Sequence, residues 1–525
     1  MGGRGIRLED LAAGPPLDAA VIGGGINGCA IAASAAAAGH RVALFEQDDF
    51  GFGTTWRSTK LIHGGLRYLE HGETGLVRES LRERRWLLRT RPHLVRPLRF
   101  LLPQLPWTRR PRWQVAIGLT LYDFLALDRT IPRHRRIRAD LLRRAAPGIA
   151  AEADGGFAYY DARALLPERL ALELALEAEA AGGWMFNHAP VRRIEVRSGR
   201  VHSLTVERDG REITLAARVI VNAAGPWVDA VAELAGEPEP LLTLTRGTHI
   251  VVEPAAGQLP RDAILSTARS DGRVFFAIPQ DGLLLIGTTD EPYAGDPAAT
   301  VPTRHEVDYL VAEAQALLPG LDITHDRVRY AFAGLRPLRR ATGRAAGAIS
   351  RRHDVIDHAR HGAAGLYSVA GGKLSTFRPL ARVALGRAGL DAGPFTEPGR
   401  DGHWRRLLDA ADIPDAARRH LRVYGPRLGE VLEAGRELLC PHSGLTSGEV
   451  VHAVLREHAI TLSDVLLRRT GACWATCRGL CAHHAAAEVA GPLLGWDDGE
   501  RVRQVAMYKR DVARHLPALD EVADQ

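Results

Sequence analysis

One glycine-rich turn near the start of the chain restricts the possible folds more than any other segment. Residues 19–22, Ala-Ala-Val-Ile, have the continuous apolar character of a buried strand, and they run into Gly23-Gly24-Gly25-Ile26-Asn27-Gly28, a G-x-G-x-x-G. An alanine-rich stretch to about Gly39 predicts a helix, and a second strand over 41–45 ends at Glu46. In this β–α–β layout Gly23 makes the tight turn, Gly25 lets a pyrophosphate approach the backbone, and Gly28 lets helix meet strand. The helix N-terminus then offers N–H groups and the positive end of its dipole to phosphate. Glu46, 23 residues beyond Gly23, is placed to accept a hydrogen bond from a ribose hydroxyl. An acid there argues against a nucleotide carrying a 2′-phosphate.

The next segments favour a bound flavin over a diffusing nicotinamide. Residues 54–59, Thr-Thr-Trp-Arg-Ser-Thr, are rich in hydroxyls that can bond phosphate and ribitol. Three later stretches, 218–227, 283–290 and 366–372, each read as an apolar strand ending in small residues, where backbone can approach a cofactor. At 525 residues, 46% hydrophobic and 25% charged, the chain has room for two or three globular domains. Residues 1–17 carry Glu9 and Asp10 and lack the apolar core of a secretory signal, and no stretch is long enough to cross a bilayer. Five scattered cysteines suggest reduced thiols and a cytoplasmic location.

Lysine is scarce. Only Lys60, Lys373 and Lys509 are present, while Lys and Arg together number 68. The first two lie in glycine-flanked motifs, 58–68 and 371–376, which suggests positions where a compact ammonium is needed and a planar guanidinium will not serve.

These segments together resemble the FAD-dependent glycerol-3-phosphate dehydrogenases, within the D-amino-acid-oxidase-like flavoproteins. The matching pieces are 21–28, 58–69 (with Lys-Leu-Ile-His-Gly-Gly-Leu-Arg-Tyr-Leu the most specific), 160–163, 246–252, 286–290, 333–338 and 371–378, with 457–470 also similar. Trp56 stands where the family usually has a small hydroxyl residue, which bears on packing beside the isoalloxazine ring, and Ser375 where it usually has threonine. The resemblance implies an α/β fold: a Rossmann-like FAD-binding domain, an antiparallel-sheet substrate domain and a C-terminal α-helical domain. We expect the first over 18–80, 150–235 and 345–390, the second over 81–149 and 236–344, and the third over 391–525.

The implied reaction oxidises sn-glycerol 3-phosphate to dihydroxyacetone phosphate with non-covalently bound FAD. FAD contacts are expected from Gly23, Gly25, Asn27, Gly28, Glu46, Thr55, Ser58, Thr59, Lys60, Leu61, His63, Gly65, Val191, Ala224, Gly225, Gly372, Lys373, Leu374 and Ser375. Arg67 and Arg336 are the expected phosphate clamps, since a guanidinium fork matches phosphate oxygens, and Tyr68 lines the same site. Lys373 would stabilise negative charge on the reacting oxygen. His63 is expected either as the general base, with an ordinary pKa suited to that task, or as a group packed on the flavin. Two alternatives stand beside the dehydrogenase: an oxidase that passes electrons to oxygen, and an amine or amino-acid oxidase on the same scaffold. The cluster of Arg67, Arg336 and Lys373 offers more positive charge than a single carboxylate needs. A flavin-containing scaffold protein is the reading from outside enzymology.

Residues 82–144 hold 17 Arg against four acids, a net of +13, whereas the whole chain is +6. Trp86, Phe100, Trp107 and Trp113 are interleaved with these arginines. Cations with aromatic anchors fit a peripheral site on the inner face of the cell membrane. That location suits electron transfer to a lipid-soluble quinone. A solvated basic face is the plainer reading, and no recognised nucleic-acid-binding fold is present. A homodimer is left open. Near the C-terminus Cys473, Cys477 and Cys481 recur every four residues, with His483 and His484 close by. They lack the two separated ligand pairs of a standard zinc site, and no metal is assigned.

Overall fold

The computed structural model describes residues 7–66, 69, 72–126, 130–237, 239–255, 257–340, 353–400 and 402–522. Two sheets organise the described part of the chain. The first has the order 354–357, 366–370, 211–222, 17–22, 42–45, 184–186, with 191–197 and 200–208 added beside 211–222. Its centre is parallel, with Val21 level with Val221 on one side and Leu44 on the other. Parallel strands covered by helices are buried on both faces, and Leu17–Ile22 is buried along almost its whole length.

The helix Ile26–Ala37 follows the first strand and packs against the helices Pro167–Ala180 and Phe377–Arg387. Its alanines are what allow such close neighbours. Gly28 shows how tight the fit is, since a Cβ there would lie 1.9 Å from the Gly23 carbonyl oxygen.

The second sheet is almost wholly antiparallel. Its order is 291–293, 242–252, 283–287, 274–280, 263–267, 95–103, 156–164, 61–62, with 328–339 along 242–252 and 135–137 along 156–164. One pair, 95–103 with 263–267, is parallel. Sheet membership departs from the expected domain bounds at two places. Strands Leu61–Ile62 and Gly156–Ala164, inside segments assigned to the FAD domain, both lie in the second sheet. Gly156–Ala164 is held there by a nine-pair antiparallel ladder from Val95↔Ala164 to Pro103↔Gly156, and Leu61–Ile62 pairs with its Ala162 and Arg163. The expected segment 345–390 begins among residues outside those described.

Beyond residue 376 the described chain is helices and short 3₁₀ or π turns. Buried ion pairs join this region to the first sheet's helices and loops. Arg169 donates to Glu457 at 2.8 and 3.1 Å, and Arg468 and Arg469 both reach Asp49.

Candidate active site

A cleft opens at the C-terminal ends of the parallel strands, the position where open α/β sheets bind ligands. Of the residues expected to contact FAD, Gly23, Gly25, Asn27, Glu46, Thr55, Ser58, Val191, Ala224, Gly225, Gly372, Lys373 and Leu374 line it. Gly25 is the N-cap of Ile26–Ala37 and supplies no capping side chain, while Ile26 N–H donates to Thr55 Oγ1 at 3.1 Å. The helix end therefore faces the cleft with backbone donors and a favourable dipole.

These residues fit FAD. The Asn27 Oδ1 atom is buried without a hydrogen-bond partner, so an incoming donor relieves a cost. Glu46 accepts from Gly24 N–H at 2.6 Å and Asp48 N–H at 2.9 Å, which aims its carboxylate along the turn. Burial pushes its pKa up to about 7 against the pull of those two amides. A ribose hydroxyl offers a further donor to this carboxylate. Gly371 and Gly372, with φ of 75° and 99°, turn the chain from strand Leu366–Ala370 into helix Phe377–Arg387 and carry Lys373 to the cleft. Its ammonium donates to Ser80 Oγ at 3.5 Å.

The second sheet meets the other side of this cleft. Thr54 Oγ1 donates to the Leu335 carbonyl at 2.6 Å, Pro337 joins the lining, and a Cβ on Gly334 would lie 2.1 Å from the Arg57 carbonyl. Arg336 comes from the strand between them. Its guanidinium donates to Asp290 Oδ1 at 3.0 Å, Thr288 Oγ1 at 3.0 Å and the Thr289 carbonyl at 3.1 Å.

His249 lies on the same face of the sheet, because Arg336 pairs with Thr245 and positions 245, 247 and 249 alternate to one side. Its Nε2 bonds Thr59 Oγ1 at 2.9 Å and its ring stacks on Phe332 with centroids 4.8 Å apart. Burial, then Arg336 and Lys60, hold its pKa down to about 3, so the ring is neutral. Sequence analysis placed His249 in a matching segment but gave it no role. Its polar side chain on a buried strand face was the available signal.

Several expected contacts fall elsewhere. Lys60 adopts a left-handed backbone, φ 58°, and its ammonium lies 3.2 Å from the Trp474 ring centroid, away from the dinucleotide cleft. Burial lowers its pKa while nearby Glu168 opposes that shift. Leu61 pairs with Arg163 in the second sheet, Thr59 serves His249, and Gly28 and Ser375 are packed behind the lining. His63 sets its ring edge-on to Phe276 at 6.4 Å, and Gly65 turns the chain with φ 78°. Arg67 and Tyr68 lie outside the described residues. Trp56 is fully buried and packs on Trp474 and His515, with its indole N–H on the Phe52 carbonyl at 2.6 Å.

The basic segment presents a second surface. On helix Arg112–Ala126, Trp113, Ile117, Leu121 and Phe124 form one stripe at helical spacing, and Trp113 and Phe124 are 67% and 71% exposed. Leu119, Tyr122 and Ala126 bury the opposite face. Tyr122 reaches into the fold, where its hydroxyl accepts from Gly64 N–H at 2.8 Å and donates to Asp161. Exposed Arg109, Arg133, Arg135 and Arg136 neighbour the helix in sequence. Among the described residues no helix is long and apolar enough to cross a membrane.

Comparison with known proteins agrees with this geometry. The family described as "FAD dependent oxidoreductase" matches residues 18–378, and "C-terminal domain of alpha-glycerophosphate oxidase" matches 398–501. A glycerol-3-phosphate dehydrogenase of Synechocystis is 37% identical over 94% of this chain and 95% of its own length. One from Pseudomonas aeruginosa is 38% identical over 86% and 91%. The crystal structure of the glycerol-3-phosphate dehydrogenase from Bacillus halodurans, complexed with FAD, superposes with a TM-score of 0.78 at 27% identity, covering 98% of this chain and 97% of that one.

Proposed function

The chain belongs to the FAD-dependent glycerol-3-phosphate dehydrogenases, and from this premise we propose that it oxidises sn-glycerol 3-phosphate to dihydroxyacetone phosphate and passes the electrons to a membrane quinone. The observation that supports the substrate assignment is that Lys373 lines the dinucleotide cleft while Arg336, from the other sheet, directly precedes the lining residue Pro337. A dianionic phosphate ester needs such a pair. FAD, when bound, supplies the acceptor for the hydride that leaves C2.

The protein's own groups do the rest. Arg336 is held by Asp290 and Thr288 in a fixed fork, so little rotamer freedom is lost when it takes a phosphate. Lys373 places positive charge near the alkoxide that forms as the hydroxyl proton departs. His63 is assigned as the proton acceptor; His249, on the sheet face of Arg336 with its pKa held down to about 3 by burial, is too weak a base for that step and positions Thr59. Arg67 and Tyr68 complete the phosphate site in this reading.

The exposed Trp113–Phe124 stripe, with arginines around it, favours quinone over oxygen as acceptor. An apolar helix face flanked by cations seats at the headgroup level of anionic lipid, where a quinone is available. Anaerobic mixing of the purified yellow protein with glycerol 3-phosphate tests the substrate. Rapid bleaching of the visible flavin band, absent with glycerol or D-alanine, is expected, and a flavin-loaded protein that does not bleach refutes the assignment. Low hydrogen peroxide yield in air, with fast turnover on a soluble quinone, tests the acceptor.

A further inference from the structure

Three cysteines and a histidine converge in the C-terminal region, and none of them lines the cleft. Cys440, His442, Cys477 and Cys481 each bring one ligand atom within 4.8 Å of all the others. The three sulfurs form a triangle with sides of 2.6 Å (440–481), 3.3 Å (477–481) and 3.7 Å (440–477). We propose that these four side chains bind one zinc ion as a structural Cys3His site.

The donor chemistry is that of a structural zinc centre. Such a site takes four soft or borderline ligands in tetrahedral array, with Zn–S near 2.3 Å, which sets sulfurs roughly 3.8 Å apart. On reaching that arrangement the Cys477–Cys481 separation opens by about 0.5 Å and Cys440–Cys481 by about 1.2 Å, and the ligands come from two short turns. One is a turn closed by Gly444 N–H on the Cys440 carbonyl at 2.8 Å, and it projects Cys440 and His442 from one short loop. The other carries Cys477 and Cys481 through a turn at Arg478 and Gly479, with φ of 51° and 72°. The Ser443 amide points at the Cys440 sulfur at 3.3 Å, supplying partial positive charge to a thiolate ligand.

The ligands come as two pairs, Cys-x-His and Cys-x3-Cys, 37 residues apart from Cys440 to Cys477. This is the separated-pair pattern that the sequence analysis missed, because it grouped Cys477 and Cys481 with Cys473. The structure removes Cys473 from the set. Its thiol is fully buried and donates to the Leu467 carbonyl.

A zinc ion here would tie the loop at 438–446 to the segment 471–482. That segment is used elsewhere in the fold, since Trp474 accepts from the Tyr330 hydroxyl at 2.7 Å and lies against Lys60 and Trp56. Binding releases thiol protons and involves no change in oxidation state.

The test is elemental analysis of the tag-free full-length holoenzyme, purified with reductant and without chelator, alongside Cys477→Ser and His442→Ala. One zinc per chain in the wild type, reduced to background in Cys477→Ser while FAD content is unchanged, is the expected result. Cobalt(II) loaded in its place should give the ligand-field bands of a tetrahedral thiolate site, in the red beyond the flavin absorption. His442→Ala is exposed at the substituted position, so it reports on the metal even where a cysteine variant fails to fold. Zinc no higher in the wild type than in the variants overturns the proposal. So does an intact mass showing a Cys440–Cys481 disulfide in the purified reduced protein, or iron with sulfide in place of zinc.

Discussion

Arg469 grips Asp49 through two parallel hydrogen bonds, Nη1 to Oδ2 and Nη2 to Oδ1, each 2.6 Å, with both side chains fully buried. Asp49 follows the second strand of the FAD fingerprint by four residues, and Arg469 comes from the C-terminal helical region. Arg468 adds a third bond to the same carboxylate. Removing Arg469 leaves the buried carboxylate with Arg468 as its one guanidinium partner, so Arg469→Ala should lower stability by up to about 3–5 kcal/mol. Urea unfolding followed by tryptophan fluorescence measures it. A loss below about 1 kcal/mol, the range of exposed pairs, would mean that water reaches Asp49.

Glu46→Gln keeps the shape of the side chain but removes its charge. A charge-assisted bond to a ribose hydroxyl is worth about 1.5–3 kcal/mol, so the apoprotein should bind FAD roughly 10- to 100-fold more weakly. Flavin fluorescence titration of the apoprotein reads this directly.

Arg336 and Lys373 should separate binding from chemistry. Arg336→Ala is expected to raise the KM for glycerol 3-phosphate, and Arg336→Lys to recover little, because an ammonium cannot reproduce the fork. Lys373→Ala should lower kcat by about 100-fold or more, the scale of losing one preorganised charge-stabilising donor. Steady-state kinetics with a soluble quinone distinguishes the two patterns.

Two buried histidines predict acid sensitivity. Burial, with Arg336 for His249 and Arg57 for His515, holds their pKa values down to about 3 and about 2. An unfolded histidine titrates near 6.5. The unfolded chain therefore takes up protons that the native state refuses. Their contribution is complete above about pH 6.5 and is lost as pH falls toward 3, by about 1.4 kcal/mol per pH unit for each ring. His515→Phe should unfold with a shallower pH slope than wild type between those limits.

Trp113→Ser with Phe124→Ser should weaken binding to anionic lipid vesicles at least tenfold, since each side chain contributes about 1.5–3 kcal/mol when fully buried. Flavin bleaching by substrate in solution should be unaffected. Co-sedimentation with vesicles provides the measurement.

What could be read from sequence was whatever depends on neighbours in the chain. The fingerprint at 23–28, Glu46 and the Gly371-Gly372-Lys373 turn encode their geometry locally, and Gly23, Gly25, Ile26, Asn27, Glu46 and all three turn residues line the cleft. Features that depend on long-range pairing were not legible. Strand Gly156–Ala164 has its register set by 95–103, and nothing in its own residues names that partner. Lys60 sits two residues after Ser58, which lines the cleft, yet its left-handed backbone sends the ammonium to Trp474. The face shared by His249 and Arg336 exists only once 242–252 and 328–339 are paired. Cys440 and His442 reach their partners through a tertiary contact that no local spacing encodes.

Helix Arg112–Ala126 carries the exposed Trp113–Phe124 stripe on one side and Tyr122 on the other, with the Tyr122 hydroxyl bonded to the Gly64 amide next to His63. A helix of this kind acts as a strut between an exposed apolar face and the loop at Gly64. On the proposed membrane seat, attachment and the hold on that loop would be one mechanical variable, and detergent, lipid composition and ionic strength would act on both.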